Sequence, residues 1–294
     1  MKDYLSHYSA AAYWKIPYLE TVLGSEIAET NPMDFTVSTL SDRSRKKGRI
    51  IHWCKLALPA GALVSKSDKT VASPELTFLE LADKLSIHQL ILLGLQLCSH
   101  SPGNPSEAIT TKRKLKTFLA KTPGHRGYRK ALRAVKYIEN GSASFMESMA
   151  YMVLTLPHAL GGYGLSGPVF NHEIKLRGKG GKRLSQKRCL ADLFYKQAKL
   201  AVEYQSFTFH SSPSEQGKDM MRSAVLYRQG IEVMFLSTIQ LYDKDACQDF
   251  ALNLAAQLGK RIQIRTRKFH RMQGLLRALL PEEKPSDKSC DGKL

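Results

Sequence analysis

Two alternating stretches hold the residues best suited to chemistry. They are Leu190-Ala191-Asp192-Leu193-Phe194-Tyr195 and Leu200-Ala201-Val202-Glu203-Tyr204-Gln205, joined by residues 196–199. A hairpin centred between Gln197 and Ala198 pairs Asp192 with Glu203, Leu193 with Val202 and Tyr195 with Leu200. Side chains alternate across a strand, so this register lines up one apolar face and sets two carboxylates side by side on the other. Like charges directly opposite on paired strands are destabilising, so something must compensate them. A divalent cation would do so through oxygen ligands. A proton on one carboxyl, or a base such as Lys199, would serve as well. Gln205 shares the face of Glu203 and offers an oxygen, but neither charge nor a general base.

Other residues have both a chemical and an ordinary reading. Glu147 is a lone acid in the apolar run 142–156. His210 follows Phe207 and Phe209 in alternation, where a histidine is structural or a general acid. Asp219 and Arg222, one turn apart, read as an intrahelical pair. Ser6 and His7 have no orienting acid nearby in sequence, which makes Ser6 a helix cap. Trp14 and Trp53 are expected in the core.

The elements that must position these residues follow from periodicity. A short helix reaches Trp14 and ends before Pro17. Residues 34–40 and 49–56 read as strands around the basic turn 41–48. Ser73-Pro74 and Ser86 open two helices. Residues 99–106 read as a linker. Two short basic helices follow, broken at Pro123-Gly124. A helix over 142–156 is apolar nearly all round and should be buried. The glycine-rich, basic stretch 161–181 reads as a mobile loop or a hairpin. After the central hairpin come a helix over 214–229 closed by Gly230, a buried strand over 231–236 and a helix over 243–258. The tail 281–294 is expected to be disordered.

The chain has 294 residues, 43% of them hydrophobic, and a formal net charge of +18. That is enough for packed cores, with about two domains as the starting expectation. The charge is clustered. Lys112, Arg113, Lys114, Lys116, Lys121, Arg126, Arg129, Lys130, Arg133 and Lys136 fall in a segment with no acid between Glu107 and Glu139. Lys182 and Arg183, then Arg265, Arg267 and Lys268, make further clusters. Like charges so close on a helix are unfavourable unless something neutralises them, and a polyanion does. These residues therefore form the expected contact with nucleic acid, most naturally duplex DNA. The five scattered cysteines show no Cys-x-x-Cys spacing, which argues against a zinc site or a disulfide framework and for a reducing, cytoplasmic setting. The amino terminus has no apolar signal core, and the most apolar stretch, 90–98, is far short of the roughly 20 residues a membrane helix needs.

The order of the carboxylates resembles the PD-(D/E)XK nucleases, and more closely the group related to very-short-patch-repair endonucleases. Glu147 matches the helical acid, Asp192 the strand acid and Ala201-Val202-Glu203-Tyr204 the next strand. His210 follows, and Asp219, Arg222, Leu226 and Gly230 match the helix that leads to a buried strand. The likeness spans residues 142–258. It implies an α/β (α+β) chain whose carboxyl-terminal part is a restriction-endonuclease-like mixed sheet flanked by helices. It also implies Mg²⁺ on Asp192 and Glu203, with Gln205, His210 and Glu147 completing a catalytic set and Arg222 beside the nucleic acid. Where the family has an acid and the wider superfamily a lysine, this chain has Gln205. A weak DNA endonuclease of defence, repair or mobile-element biology is thus implied, or a non-catalytic DNA-binding regulator. The first half, through Ser6-His7, Ser9-Ala10-Ala11, Trp14, Ala72-Ser73-Pro74-Glu75, Leu79, Ala82, Gly127 and Ala131-Leu132, resembles AbiEi-type proteins. That implies a toxin–antitoxin or defence setting with a protein partner. The expected divisions are an AbiEi-like region over 1–106, a basic helical connector over 107–140, the nuclease-like domain over 141–260 and a basic extension over 261–294.

Overall fold

The computed structural model describes residues 3–23, 32–43, 47–66, 69–176, 188–205, 213–264 and 267–282. Its first sheet has the order β3-β2-β1-β5-β4. The strands are β1 (Tyr4–Leu5), β2 (Met33–Val37), β3 (Arg49–Trp53), β4 (Leu63–Lys66) and β5 (Lys69–Ala72). β2 and β3 were expected around a turn, which would make them antiparallel. They are parallel, with Phe35 opposite Ile51. Hydrogen bonds from Met33 N to Gly48 O and from Cys54 N to Val37 O, both 3.0 Å, extend that ladder at its two ends. The turn residues of 41–48 therefore say where the strands stop and not which way they run.

Helices α1 (His7–Tyr13) and α3 (Pro74–Leu81) pack on this sheet, while α2 (Leu19–Leu23) packs on α4 (Ile87–Leu97), and α4 packs on α3. Ser73 caps α3 with Pro74 in its first turn, and Ser86 with Gln89 forms a capping box on α4. α4 is buried all round because neighbours reach it from every side. A Cβ on its Gly94 would meet Ile138 Cδ1 at 2.1 Å, so a larger residue there would have to move the Ile138 side chain. The basic helices α5 (Lys112–Ala120) and α6 (Tyr128–Val135) turn Leu115, Phe118, Leu119, Ala131, Ala134 and Val135 inward. They pack on α3 and α4.

The second sheet has the order β6-β7-β8-β9. Its elements run α7 (Phe145–Thr155), β6 (Val169–Lys175), β7 (Arg188–Tyr195), β8 (Leu200–Gln205), α8 (Pro213–Arg228) and β9 (Glu232–Ser237). The first three strands form an antiparallel meander, and α8 carries the chain over to β9, parallel to β8. β6 lies inside the glycine-rich stretch, which is thus part strand. α9 (Thr238–Tyr242), α10 (Lys244–Gln257) and α11 (Arg267–Arg277) follow. α7 packs against α4, and Gln96 donates to Ser148 Oγ at 3.0 Å between them. One core therefore runs without a break from Tyr4 to Leu276 and includes the helices of 107–140. A smaller cluster of Ile174, Cys189, Phe194, Ala201 and Leu226 lies under α8. Over the described residues the chain is mixed α and β, with two mixed sheets.

Candidate functional site

The hairpin keeps the register read from the sequence: Leu193 pairs with Val202, Phe194 with Ala201 and Tyr195 with Leu200. Alternation sends Leu193, Tyr195, Leu200 and Val202 into the main core, and Phe194 and Ala201 into the smaller one. Lys199 closes the turn with φ at +51°, a left-handed residue that fits no two-residue hairpin consensus. The paired register ends at Leu193 and Val202. One residue further, Asp192 Oδ2 accepts the Tyr204 N–H at 2.8 Å. Burial, then the charge of Glu147, raise the Asp192 pKa to about 6, against the Tyr204 N–H and Arg222, which lower it.

Glu203 is buried at 9% exposure, and Arg222 from α8 lies 3.7 Å from its Oε2. Among the described residues Arg222 meets Glu203, and its charge also acts on Asp192. It was expected in an intrahelical pair with Asp219, whose side chain lies outside the described residues. Glu147 sits in the first turn of α7, where Ser144 caps its N–H. Its Oε2 accepts from Ala143 N at 2.9 Å and from Asn171 Nδ2 at 2.8 Å. Asn171 adopts φ of +45° in the middle of β6 and also donates to Gly141 O at 2.9 Å. An asparagine tolerates that conformation better than a branched residue, and strain of this kind marks positions fixed by their surroundings.

Glu147, Asp192 and Arg222 thus share one electrostatic neighbourhood, with Glu203 on the same guanidinium. Gln205 ends β8 exposed, opposite Ser237. The sequence did not single out Asn171, because no strand was read over 169–175. His210 lies outside the described residues. The carboxylates meet the requirements of a divalent cation only in part. Each accepts from, or pairs with, a protein group. Among the described residues no group of three or more His, Cys, Asp or Glu is arranged to hold a metal ion.

The expected nucleic-acid contacts divide into two kinds. Arg113, Lys114, Arg129, Arg133, Arg267 and Lys268 are exposed on α5, α6 and α11. Others are engaged: Lys112 with Glu139, Arg126 with Asp83 at 2.9 Å, and Lys130 with Leu85 O at 2.8 Å. Lys182, Arg183 and Arg265 lie outside the described residues. Two aromatic and capping expectations are corrected. Trp53 is 42% exposed and not core, because its strand edges the sheet. Ser6 begins α1 but makes no side-chain cap; its Oγ shares a hydrogen bond with His7 Nδ1 at 3.0 Å.

Among the described residues no helix is long and apolar enough to cross a membrane. No family model matches the chain, and no curated protein or solved structure matches it either.

Proposed function

We propose that this chain is a nucleic-acid-binding protein on a restriction-endonuclease-like scaffold, with a carboxylate site held mainly by its own side chains. The observation that carries this reading is the order α7-β6-β7-β8-α8-β9, with Glu147 on the leading helix, Asp192 on the second strand and Glu203 on the third. Exposed cations on α5, α6 and α11 supply the phosphate contacts, which makes duplex DNA the natural partner. Occupied carboxylates and Gln205 at the neutral position favour a regulator or a toxin–antitoxin or defence component, acting in the cytoplasm with a protein partner.

A weak Mg²⁺-dependent endonuclease is the second reading, favoured by Asp192. Its carboxyl is buried beside Glu147 and holds its proton to about pH 6, so negative charge there is in excess and a hard cation would relieve it. Asp192 and Glu203 would hold the ion. When bound, it would polarise a phosphoryl oxygen and acidify a water. Arg222 would then turn from the carboxylate towards the phosphate.

Binding of labelled duplex at rising salt, beside incubation of supercoiled plasmid with Mg²⁺ or Mn²⁺, tests both readings. The first expects steeply salt-dependent binding, little sequence preference and slow or no nicking. Efficient nicking that Asp192→Ala abolishes would establish the second reading in its place. No binding at low salt would remove both.

A further inference from the structure

A cavity of about 230 Å³ opens in the amino-terminal half, remote in sequence from the carboxylates. Tyr4, His7, Thr36, His52 and Glu80 give it a polar lining. Tyr4 Oη donates to Glu80 Oε1 at 2.9 Å, and His7 N donates to Glu80 Oε2 at 3.1 Å. The His7 and His52 rings stack at 3.8 Å between centroids, and His52 Nε2 lies 2.7 Å from Asp34 Oδ1. His7 holds its ring there with φ of +46°, a conformation a histidine keeps only when its surroundings over-determine it. Burial, then His52, lower the His7 pKa to about 3, so the stacked ring is neutral. Burial raises the Glu80 pKa to about 8, so this carboxyl carries a proton at neutral pH. The Thr36 hydroxyl, 2% exposed beside Tyr4, makes no hydrogen bond of good geometry.

The mouth of the cavity has the opposite character. Arg43, Lys84 and Arg126 line it against a single acid, Asp83, which pairs with Arg126. Ile51, Trp53, Leu58, Leu76 and Leu79 supply apolar and aromatic walls. With Asp34 held by His52 at its floor, a buried hydroxyl short of a well-formed hydrogen bond and surplus positive charge at its mouth, the cavity suits an anion with several acceptor oxygens on a body that packs against an aromatic ring. A buried polar group without a partner is costly unless a ligand or water completes it.

We propose that this cavity binds a small phosphate monoester, with the phosphate among Arg43, Lys84 and Arg126 and the organic body against Trp53 and the aliphatic wall. It is independent of the nucleic-acid reading above. Nucleotides and sugar phosphates share this chemistry, and the test separates them.

Isothermal titration of the full chain with AMP, ribose 5-phosphate, adenosine and inorganic phosphate is the experiment. One or both esters should bind about tenfold or more tighter than adenosine and inorganic phosphate, the scale of one charge-assisted hydrogen bond. Preference for AMP assigns a nucleotide, and preference for ribose 5-phosphate a sugar phosphate. Arg43→Ala with Lys84→Ala, both at exposed positions, should weaken the ester by about tenfold or more on the same scale. Ester binding should change tryptophan emission, and Trp53→Phe should remove that change while Trp14 still emits. Ester affinity should also fall above pH 8 as Glu80 ionises. Glu80→Gln should remove the fall: Tyr4, His7 and Asp34, the groups that face Glu80, are the same in both proteins, burial holds the Tyr4 hydroxyl protonated, and His7 is already neutral. The proposal is overturned if no ester binds, if adenosine or inorganic phosphate binds as tightly, or if the double variant binds unchanged.

Discussion

Asp192 shows how one residue's surroundings set its chemistry. Its pKa stands at about 6 in the folded chain and near 3.8 when exposed, chiefly through burial and then through Glu147. Between those values the unfolded chain releases a proton that the folded chain keeps, so folding stability falls as pH rises through this window. Below about pH 4 the penalty is absent, and above about pH 6 it is complete. Asp192→Asn removes the ionisation and can still accept the Tyr204 N–H. In metal-free buffer, urea midpoints should coincide for variant and native chain near pH 4, and at pH 7.5 the variant should be more stable by about 3 kcal/mol. A difference that does not change with pH would show that Glu147 and burial do not govern this carboxyl. The sequence made the acid legible, and its reading of Leu193 against Val202 and Tyr195 against Leu200 is the register the strands take. It did not reveal Arg222 or Asn171 as partners. Those contacts depend on where a crossover helix and an unread strand come to rest, which no local spacing encodes.

At the scale of elements, caps and close approaches decide what holds. The α7 helix begins where Ser144 accepts from Glu147 N, and Glu147 reaches back to Ala143 N. Ser144→Ala should cost about 1 kcal/mol by chemical denaturation. A loss within error would mean that packing alone fixes the start of α7. Gly161 makes a close approach to the backbone of another element. It has φ of +79°, and a Cβ there would lie 2.3 Å from Gln273 N and 2.4 Å from Met272 C, both backbone atoms of α11. Gly161→Ala should therefore destabilise by about 2–5 kcal/mol, combining a left-handed alanine with displacement of a helix. Gly124 is the control. It has φ of +84° with nothing within 4 Å, so its alanine variant should lose only the conformational part, about 1–2 kcal/mol. Equal losses would mean that α11 yields freely. Helices with a serine cap and an apolar face were legible: Ser73, Ser86 and the basic amphipathic pair all stand where periodicity put them. β6 was not, because Asn171, His172 and Glu173 interrupt the alternation that marks a strand, and Asn171 does so in a left-handed conformation.

Over the whole molecule, the +18 charge bears on folding and binding in opposite ways. Repulsion among exposed cations on α5, α6 and α11 works against the compact state, and on the proposed function bound phosphates would remove it. The structure divides these cations into engaged and exposed ones, which composition alone cannot do. Lys112 and Lys130 are engaged with Glu139 and the Leu85 carbonyl. Arg113, Lys114, Arg129 and Arg133 are exposed. Replacing those four by glutamine should leave thermal stability unchanged or raise it at low salt, since repulsion falls. It should weaken duplex binding at all sequences alike, and the slope of log affinity against log salt should fall by about 1 for each phosphate no longer neutralised. Lys112→Gln with Lys130→Gln should do the reverse, lowering stability while leaving the slope nearly intact. Anisotropy titrations across a salt series, beside urea unfolding of the same proteins, separate the two effects. An unchanged slope in the four-residue variant would move the interface away from α5 and α6, leaving α11, with Arg267 and Lys268 exposed, as the surface to test next.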